Sequence, residues 1–485
     1  MQHLYVTTTI PYVNAPPHVG FALELVQADA LARYHRLEGT VTRLQTGTDE
    51  NAFKNVLSAR EQGLPVQELV DRNAARFREL ASALDVSLDR FVRTTTPEHH
   101  RAVAAFLDRL RSEDLHRRRY QGLYCPGCED FFLERDLSGG TRCPEHGAVV
   151  VEVEEENVFF RLSAYQQTLS DLITSGRLGV VPEARRTEVL RFIERGLEDI
   201  SISRDAERSQ GWGVSFPGDP SQVVYVWIDA LVNYLSGLGF PDGDGWRSFW
   251  GEGSRRVHVI GKNVWKFHAV YWPALLLSAG LALPDEIVVH GFLTEEGRKI
   301  SKSSGGVADP LGYVRRFGAD ALRLFLLRHV RPFDDADFSE ARLEEVYVAD
   351  LANGLGNLVS RLTKLCERFG VAAATDPFRR AAPGRYHAHL EAYRFDRALD
   401  VLWGELARLD REIDEARPWE EDPDRPSIEA RTRLARWAGE LRWVANRLTP
   451  FLPATAARIT GLLGGATVRA APPLFPRMAS GTARI

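Results

Sequence analysis

The segment Leu4-Tyr5-Val6-Thr7-Thr8-Thr9-Ile10, followed by a Pro-rich turn at 11–17 and then by His18-Val19-Gly20-Phe21, decides the fold of this chain. The first seven residues are mostly apolar or β-branched, which predicts a buried strand. After the turn, apolar residues recur at helical spacing up to residue 31. A strand, a turn and a helix start leave free backbone N–H groups that can bind a phosphate. His18 can donate to that phosphate, and Gly20 allows a ligand to approach the backbone closely.

Four further strand-like runs follow along the chain and alternate with helical stretches. With the first run they lie at 4–10, 41–46, 223–228, 256–260 and 286–290. This alternation predicts an α/β fold with a doubly wound parallel sheet. Because such sheets bind ligands at the carboxyl ends of their strands, we expect His18, Asp49 and Gly261 to arrive at one crevice.

The segment Lys299-Ile300-Ser301-Lys302-Ser303 stands out because this chain contains little lysine. Lysine and arginine together number 61, and only six of them are lysine. An ammonium group can follow a moving phosphate, whereas a guanidinium prefers a fixed bidentate partner. Two lysines three residues apart therefore indicate phosphate chemistry, although two ordinary surface lysines are the alternative.

Three of the four cysteines lie in one short region. Cys125 and Cys128 are followed, after fourteen residues, by Cys143 and His146. Three thiolates and one imidazole in two knuckles at this spacing suit tetrahedral zinc, and a site filled by four protein ligands is structural. Chance clustering of buried free thiols is the alternative. Cys366 stands apart in a helical segment and is predicted to be a small core residue.

Length and composition limit the class of protein. A chain of 485 residues with 44% hydrophobic residues can form several cores, so two to four domains are expected. The net charge of −5 argues against a generally adhesive nucleic-acid binder but permits a local basic face. No apolar run of membrane-spanning length and no leader-like segment is found, so we expect a soluble, cytoplasmic protein without a membrane partner.

The pattern changes after about residue 337 to long amphipathic helices, which predicts a C-terminal helix bundle.

The pair HVGF and KISKS resembles the HIGH and KMSKS signatures of the class I aminoacyl-tRNA synthetases. Five other segments occur in the order found in the methionyl-tRNA synthetase family, and the resemblance covers almost the whole chain. These segments are Thr46–Glu50, Glu155–Leu162, Ile200–Arg204, Tyr225–Ala230 and Phe267–Ala274. The single HxGx motif is weakly specific, whereas the ordered set is strongly specific.

The resemblance implies a function and a set of site residues. The implied reaction activates methionine with ATP and Mg²⁺ to methionyl-adenylate and transfers it to the 3′ end of initiator and elongator tRNA(Met). The implied catalytic residues are His18, Gly20, Lys299 and Lys302. The implied ATP-binding residues are His18, Glu24, Gly261, Asn263, Lys299, Ser301 and Lys302. The implied amino-acid pocket, with Asp49 holding the α-ammonium, comprises Ile10, Tyr12, Asp49, Trp212, Trp227, Ala230, Tyr234, Phe267 and His268.

The same resemblance assigns roles to the insert and to the C-terminal helices. A zinc knuckle with Cys125, Cys128, Cys143 and His146 is expected in an insert that divides the nucleotide-binding fold. Asn357, Arg361 and Trp419 match residues that read the anticodon, and an i, i+4 pair projects from one helix face. An exposed Trp can stack on a splayed base.

Five segments are expected along the chain. Residues 1–115 form the first half of the catalytic domain, 116–215 the connective insert with its zinc knuckle, and 216–290 the second half. Residues 291–345 carry the KISKS loop and stem-contact region, and 346–485 form the helical anticodon-binding domain. Because the chain stops near the end of the bundle, without the appendage that dimerises some relatives, we expect a monomer.

Four residues, in three motifs, depart from the family pattern. Phe21 replaces the last His of HIGH, Asn263 replaces the Asp of a GKD turn, and Asn51-Ala52 replace the His-Gly of DEHG. Losing one transition-state donor costs about 2.7–4 kcal/mol. These departures keep two alternatives open: an adenylating ligase paralogue that passes the amino acid to a small amine or hydroxyl, and a non-catalytic tRNA-binding or regulatory protein.

Overall fold

The computed structural model describes residues 3–125, 130–132, 134, 137–144, 147, 149–295, 298–299, 309–371, 384–422, 427–465 and 467–476. By their internal packing the residues form two units. The first unit comprises residues 1–17, 39–81 and 87–290, and the second comprises 18–38, 82–86 and 291–485. The division follows packing and not chain order, because the helix that begins after His18 belongs to the second unit.

The strands of the described residues are, in chain order, β1 His3–Thr8, β2 Val41–Thr48, β3 Arg90–Arg93, β4 Leu115–Cys125, β5 Asp130–Phe132, β6 Val151–Phe160, β7 Gly179–Val181, β8 Ile200–Ser201, β9 Ser203–Asp205, β10 Ser215–Phe216, β11 Asp219–Val224, β12 Ser254–Gly261, β13 Glu286–His290, β14 Leu293–Glu295, β15 Arg298–Lys299 and β16 Ala336–Asp337.

The α-helices are α1 Val19–Leu37, α2 Phe53–Glu61, α3 Val66–Ala83, α4 Pro97–Leu107, α5 Gln166–Thr174, α6 Glu183–Glu194, α7 Val226–Leu231, α8 Asn233–Ser236, α9 Asp244–Trp250, α10 Trp272–Ser278, α11 Pro310–Phe317, α12 Ala319–Leu324, α13 Glu340–Val346, α14 Asn357–Arg368, α15 Gly384–Glu391, α16 Phe395–Ala416, α17 Ile428–Leu448 and α18 Pro453–Leu462. Wider π-helical turns occur at Phe267–Tyr271, Phe325–His329 and Tyr347–Gly356, and short 3₁₀ turns at Ser112–Asp114, Leu162–Tyr165 and Pro418–Glu420.

A six-stranded parallel sheet forms the centre of the first unit, in the order β3-β2-β1-β12-β13-β7. The chain builds outward from β1 to one side and returns later to place β12 on its other side. The predicted doubly wound α/β sheet is therefore confirmed, and its switch point lies between β1 and β12. Large buried aromatic residues, including Trp250, Trp272 and Phe160, fill the core packed against it.

One predicted strand of this sheet is wrong. The run 223–228 was expected to join the parallel sheet, but it divides between the end of β11 and the start of α7. Strand β11 belongs to a separate antiparallel sheet of order β10-β11-β9. The run is apolar because its residues are buried, and a short buried helix start gives the same signal as a buried strand.

A second sheet, which is antiparallel, has the order β5-β4-β6-β8. The long pair β4 and β6 aligns from Leu115 opposite Phe160 to Tyr124 opposite Val151. Exposed and buried residues alternate along the first part of β6, and its last four residues are all buried. This pattern is typical of a ribbon with one solvated face that ends in a hydrophobic core.

Arg323 on α12 joins several segments of the second unit. Its guanidinium donates to the carbonyl oxygens of Phe451 at 2.7 Å, Pro450 at 2.9 Å and Leu84 at 3.1 Å. It also lies 2.7 Å from the carboxylate of Asp29 on α1, and both side chains are fully buried. One buried cation therefore holds α1, the segment after α3 and the turn between α17 and α18 together.

None of the helices in the described ranges is both long and apolar enough to cross a membrane.

Replacing Arg323 by Met should strongly destabilise the second unit. The change leaves the Asp29 carboxylate buried with Arg33 at 2.9 Å and deprives three carbonyls of their donor. Breaking a buried ion pair costs about 3–5 kcal/mol. Guanidinium unfolding followed by far-ultraviolet circular dichroism measures the loss. Arg315→Met is the control, because Arg315 and Asp309 form an exposed pair worth less than about 1 kcal/mol. Equal effects of the two changes would contradict the role of Arg323.

Candidate active site

The carboxyl ends of β1 and β2 bring Tyr12 and Asp49 side by side. The two residues form an isolated parallel bridge, and the Asp49 amide donates to the Pro11 carbonyl at 3.0 Å. Parallel pairing thus continues past the last residues of both strands. It places Asp49, which is only 1% exposed, beyond the carboxyl end of β2 and next to the segment that follows β1.

A row of three aromatic rings extends from Tyr12. The centroids of Tyr12 and Trp227 lie 5.8 Å apart, and Trp227 stacks on Phe267 at 3.8 Å with an interplanar angle of 9°. Trp227 comes from α7 and Phe267 from the π-helical turn before α10. Both Tyr12 and Trp227 remain half-buried, so the row has an accessible face.

Tyr234 and His268, both predicted pocket residues, form a hydrogen-bonded pair. The Tyr234 hydroxyl lies 2.7 Å from Nε2 of His268, whose Nδ1 lies 2.9 Å from the Val264 carbonyl. A carbonyl can only accept, so Nδ1 carries the proton and Nε2 accepts from Tyr234. The backbone therefore fixes the tautomer of the imidazole.

Trp212 is fixed by the residue next to Asp49. Its indole Nε1 donates to the Glu50 carbonyl at 2.8 Å. The Glu50 carboxylate in turn accepts from Thr48 Oγ1 at 2.7 Å and from Arg93 Nε at 2.7 Å. The end of β2 is thus rigid where Trp212 contacts it.

The last two predicted pocket residues lie close to these groups in the chain. Ile10 precedes Tyr12 by two residues in the extended segment after β1, and Ala230 follows Trp227 by one helical turn in α7. The structure therefore pairs Tyr12 with Asp49 and with Trp227, stacks Trp227 on Phe267, and joins Tyr234 to His268 by a hydrogen bond.

Gly261 and Asn263 lie where β12 ends. Gly261 is the last residue of the strand, and the Val264 amide donates to its carbonyl at 3.2 Å across a turn. A Cβ atom on Gly261 would meet the Asn263 side chain at 3.1 Å. Asn263 is exposed, so its amide can face a ligand.

His18, Gly20 and Glu24 belong to the second unit, on α1. His18 is the N-cap of this helix, and its Nδ1 accepts from the Gly20 amide at 3.0 Å. A Cβ on Gly20 would meet the imidazole at 2.8 and 2.9 Å, so the glycine gives room to the His18 ring. Because Nδ1 accepts, the neutral ring carries its proton on Nε2. Phe21 and Glu24 are buried.

The KISKS segment lies largely outside the described residues. Lys299 is described as backbone in β15, and Ser301 and Lys302 fall outside the described ranges.

Two of the four predicted zinc ligands are described. Cys125 and Cys143 are both 0% exposed and belong to one small cluster with Leu137 and Val150. The Gly147 amide donates to the Cys143 carbonyl at 2.8 Å. Cys128 and His146 lie outside the described residues. Cys366 is a buried core residue as predicted, and burial raises the pKa of its thiol to about 12.

The three predicted anticodon residues lie in the second unit. Asn357 and Arg361 are one turn apart on α14, where Asn357 is exposed and Arg361 pairs with Asp410 and Asp414 of α16, each at 2.5 Å. Trp419, 40% exposed, follows α16, and its carbonyl accepts from Arg368 of α14 at 3.4 Å. Neighbouring elements therefore carry all three residues.

The sequence analysis missed a buried polar network around Asp229. Asp229 accepts from Asn51 Nδ2 at 2.7 Å and lies 2.7 Å from Nε2 of His99, whose Nδ1 lies 2.8 Å from the Ser236 hydroxyl. Asn51 also donates to the Thr94 carbonyl at 3.0 Å. The departure at Asn51 thus has a structural role, because its amide connects the end of β2 to α7. The polar residues inside otherwise apolar runs were the available signal.

The sequence analysis also missed His258 on β12, which is another polar residue inside an apolar run. It stacks on Tyr234 with centroids 4.1 Å apart, and its Nδ1 lies 2.6 Å from the Thr7 hydroxyl. Burial, together with the nearby His268 and Arg256, holds the pKa of His258 well below its usual range. The imidazole that supports Tyr234 is therefore neutral.

Comparison with known proteins gives consistent results. The family model described as tRNA synthetases class I (M) matches residues 4–150 and 147–363. A methionine–tRNA ligase of Thermosynechococcus vestitus is 40% identical over 482 residues, which cover 95% of this chain and 90% of that protein. One from Rhizobium meliloti is 40% identical over 483 residues, covering 96% and 92%.

A solved structure gives the same result at the level of the fold. The structure of Mycobacterium tuberculosis methionyl-tRNA synthetase in complex with methionyl-adenylate superposes with a TM-score of 0.91 at 37% identity, covering 98% of this chain and all of that one. The chain belongs to the methionyl-tRNA synthetase family of class I. The family resemblance of the HVGF and KISKS segments is therefore confirmed.

The residues that depart from the motifs of the methionyl-tRNA synthetase family can be placed in the structure. Asn51 keeps two hydrogen bonds in the protein interior, and Ala52 is fully buried at the start of α2. Phe21 is buried in the first turn of α1, and Asn263 is exposed.

The free energy of unfolding should fall as the pH is lowered below about 6.5, partly because of His258. The unfolded chain binds a proton there that the folded protein does not bind, so stability rises with pH through this range. One such group contributes a slope of up to about 1.4 kcal/mol per pH unit. His258→Gln should reduce the slope of stability against pH by up to this amount in denaturant titrations between pH 5 and 7. An unaltered slope in His258→Gln would show that this histidine is charged in the folded protein.

Proposed function

We propose that the protein activates methionine with ATP and transfers it to tRNA(Met). The observation that supports this most directly is the aromatic row Tyr12–Trp227–Phe267 beside the buried carboxylate of Asp49, in a chain of the methionyl-tRNA synthetase family. A thioether is polarizable and packs well against aromatic faces. The carboxylate of Asp49 would hold the α-ammonium group of the same ligand.

In this proposal the fixed hydrogen bonds of the pocket orient methionine. His268 keeps one tautomer, so Tyr234 keeps one hydroxyl direction, and the amino acid meets a rigid wall. Trp212, held by its hydrogen bond to the Glu50 carbonyl, would form a further wall of the pocket. Ile10 and Ala230 would line the pocket near Tyr12 and Trp227. Activation is mainly a matter of position and charge, because the carboxylate of methionine displaces pyrophosphate at the α-phosphate of ATP.

The nucleotide-binding residues follow from the family motifs. His18, with its proton on Nε2, would donate to a phosphate oxygen, while Lys299 and Lys302 supply mobile positive charge. Gly20 gives the His18 ring its position. Glu24, Gly261, Asn263 and Ser301 would contact adenosine or the phosphates. Mg²⁺ would accompany the phosphates and neutralise part of their charge.

We infer further that Cys125, Cys128, Cys143 and His146 hold a structural zinc ion. The two described cysteines fit this role because both thiols are fully buried in a cluster too small to form a core of its own. In the same proposal, residues 1–115 and 216–290 form the catalytic domain, 116–215 the insert, 291–345 the KISKS and stem-contact region and 346–485 the anticodon-binding bundle. The protein would act as a monomer.

Aminoacylation of total bacterial tRNA with labelled methionine, ATP and Mg²⁺ tests the proposal. The purified protein should form the ester, and methionine-dependent ATP–pyrophosphate exchange should accompany it. Tyr234→Phe should raise the KM for methionine by about tenfold, since removing the donor to His268 costs about 1–3 kcal/mol. Tyr386→Phe, which removes another buried hydroxyl that donates to the Arg447 carbonyl at 2.9 Å, should leave it unchanged.

Exchange without charging would instead favour the adenylating ligase that uses a small amine or hydroxyl. Absence of both reactions in folded, zinc-loaded protein would contradict the proposed activity.

Recognition of tRNA(Met) should depend on Asn357. Asn357→Ala should lower kcat/KM for tRNA charging by about tenfold, because a base left without its hydrogen-bond partner costs about 1–3 kcal/mol. Pyrophosphate exchange should stay unchanged, since it needs no tRNA. Asn446→Ala, an exposed Asn on α17, is the matched control. A tRNA-independent loss in Asn357→Ala would argue against an anticodon role.

A further inference from the structure

Helices α7 and α8 carry three residues of the pocket proposed for methionine. Trp227 and Ala230 belong to α7, and Tyr234 belongs to α8. Asp49, which is proposed to hold the α-ammonium group, comes from a different element, the segment that follows β2. The position of the α-ammonium group relative to these three residues therefore depends on the contacts that join this segment to the two helices.

Asn51 provides one such connection. Its Nδ2 atom donates to the Asp229 carboxylate of α7 at 2.7 Å and to the Thr94 carbonyl at 3.0 Å. A carbonyl and an ionised carboxylate can only accept, so the amide nitrogen faces both of them and the orientation of the side chain is fixed. Asn51 is 6% exposed and Asp229 is 1% exposed, so little water competes for these hydrogen bonds. The segment that carries Asp49 is thus attached to α7.

His99 of α4 holds the other oxygen of the same carboxylate. Its Nε2 lies 2.7 Å from Asp229 Oδ1, and its Nδ1 lies 2.8 Å from the hydroxyl of Ser236 at the end of α8. The side chains of His99 and Asp229 are each 1% exposed. Each oxygen of this carboxylate therefore has its own hydrogen-bond partner, and the imidazole contacts both α7 and α8.

A second connection joins Gln45 of β2 to Asn233 of α8. Gln45 Nε2 donates to the Asn233 carbonyl at 3.0 Å and to Asn233 Oδ1 at 2.9 Å. Asn233 Nδ2 donates in turn to the Ala230 carbonyl at 2.6 Å. These bonds do not involve Asn51, so they should keep the two helices against the sheet when Asn51 is changed. The contact of Asn51 with Asp229 can therefore be altered without removing every link to the sheet.

We propose that Asn51 is a positioning residue for amino-acid binding. Through Asp229 it fixes the position of Trp227 relative to Asp49, and it does so without touching methionine. The proposal rests on the function proposed above. It assigns a role to one of the residues at which this chain departs from the family motifs. Asn51 should determine how tightly methionine binds and should leave the chemical step almost unchanged.

Replacing Asn51 by Leu tests the proposal, because leucine has nearly the shape of asparagine and no donor. The KM for methionine in pyrophosphate exchange should rise about tenfold, since two buried acceptors lose their shared donor. The kcat and the KM for ATP should stay within about threefold, because a rise in one KM alone reports lost binding that ground state and transition state share.

Replacing Asn51 by His should preserve the function of the donor. An imidazole also carries an N–H group, and Asn51 lines a cavity of about 190 Å³ that leaves room for the ring. The KM for methionine in Asn51→His should therefore stay within about threefold of that of the unmodified protein.

Tyr165→Phe is the matched control, because it also removes a donor from a buried carboxylate in the first unit. The Tyr165 hydroxyl donates to Asp114 Oδ2 at 2.5 Å, and neither residue belongs to the proposed pocket. Thermal unfolding should show a similar loss of stability in Tyr165→Phe and in Asn51→Leu. Only Asn51→Leu should change the KM for methionine.

Asn51→Ala serves as the second variant if leucine prevents folding, since it removes the same donor without adding volume. Calorimetric titration with methionine alone should show a Kd raised about tenfold. An unchanged affinity in Asn51→Leu or Asn51→Ala, a loss in Asn51→His as large as in Asn51→Leu, or an equal loss in Tyr165→Phe would overturn the proposal. Absence of methionine-dependent exchange in the unmodified protein would instead overturn the proposed function on which it rests.

Discussion

The parallel register between β1, β2 and β12 is the constraint on which the first unit depends. The chain builds β2 and β3 on one side of β1 and returns to place β12 on the other, so two sets of connections leave the sheet in opposite directions. A crevice opens where they diverge. The backbone bridge from Tyr12 to Asp49 carries the register past the strand ends, and a buried carboxylate results at that crevice. The aromatic row and the Trp212 loop are arranged around this point.

Backbone carbonyls fix most of the polar groups at the candidate site. The Val264 carbonyl sets the proton of His268, the Glu50 carbonyl holds Trp212, and the Thr94 carbonyl holds Asn51. A carbonyl oxygen can only accept, so the direction of each of these hydrogen bonds is fixed. Such a site is arranged before its ligand arrives, and little reorganisation is needed for a reaction governed by position and charge.

The fold class could be predicted from the sequence because it depends on local patterns, whereas the pocket residues stay a prediction from the family motifs. Strands β1, β2, β12 and β13 have strong β-branched runs, and the family motifs are contiguous. The helix at Val226–Leu231 was missed because a short apolar run does not distinguish a helix start from a strand. His258, Asp229 and Arg323 could not be assigned, since a polar residue in an apolar run reveals burial but not its partner. Their partners lie far away in the chain, as Thr7 does from His258.

The ion pair between Asp29 and Arg323 also bears on the order in which the polypeptide can mature on the ribosome. Helix α1 is made among the first forty residues, yet the buried partner of Asp29 appears almost three hundred residues later, and the carbonyls of Pro450 and Phe451 later still. Domains generally fold as units during synthesis, from the N-terminus onward, and contacts of high sequence separation form slowly. We therefore expect the His18 helix to lack its final packing until translation is nearly complete. A nascent chain could therefore form its parallel sheet, whose last strand in chain order ends at His290, before α1 acquires its buried ion pair.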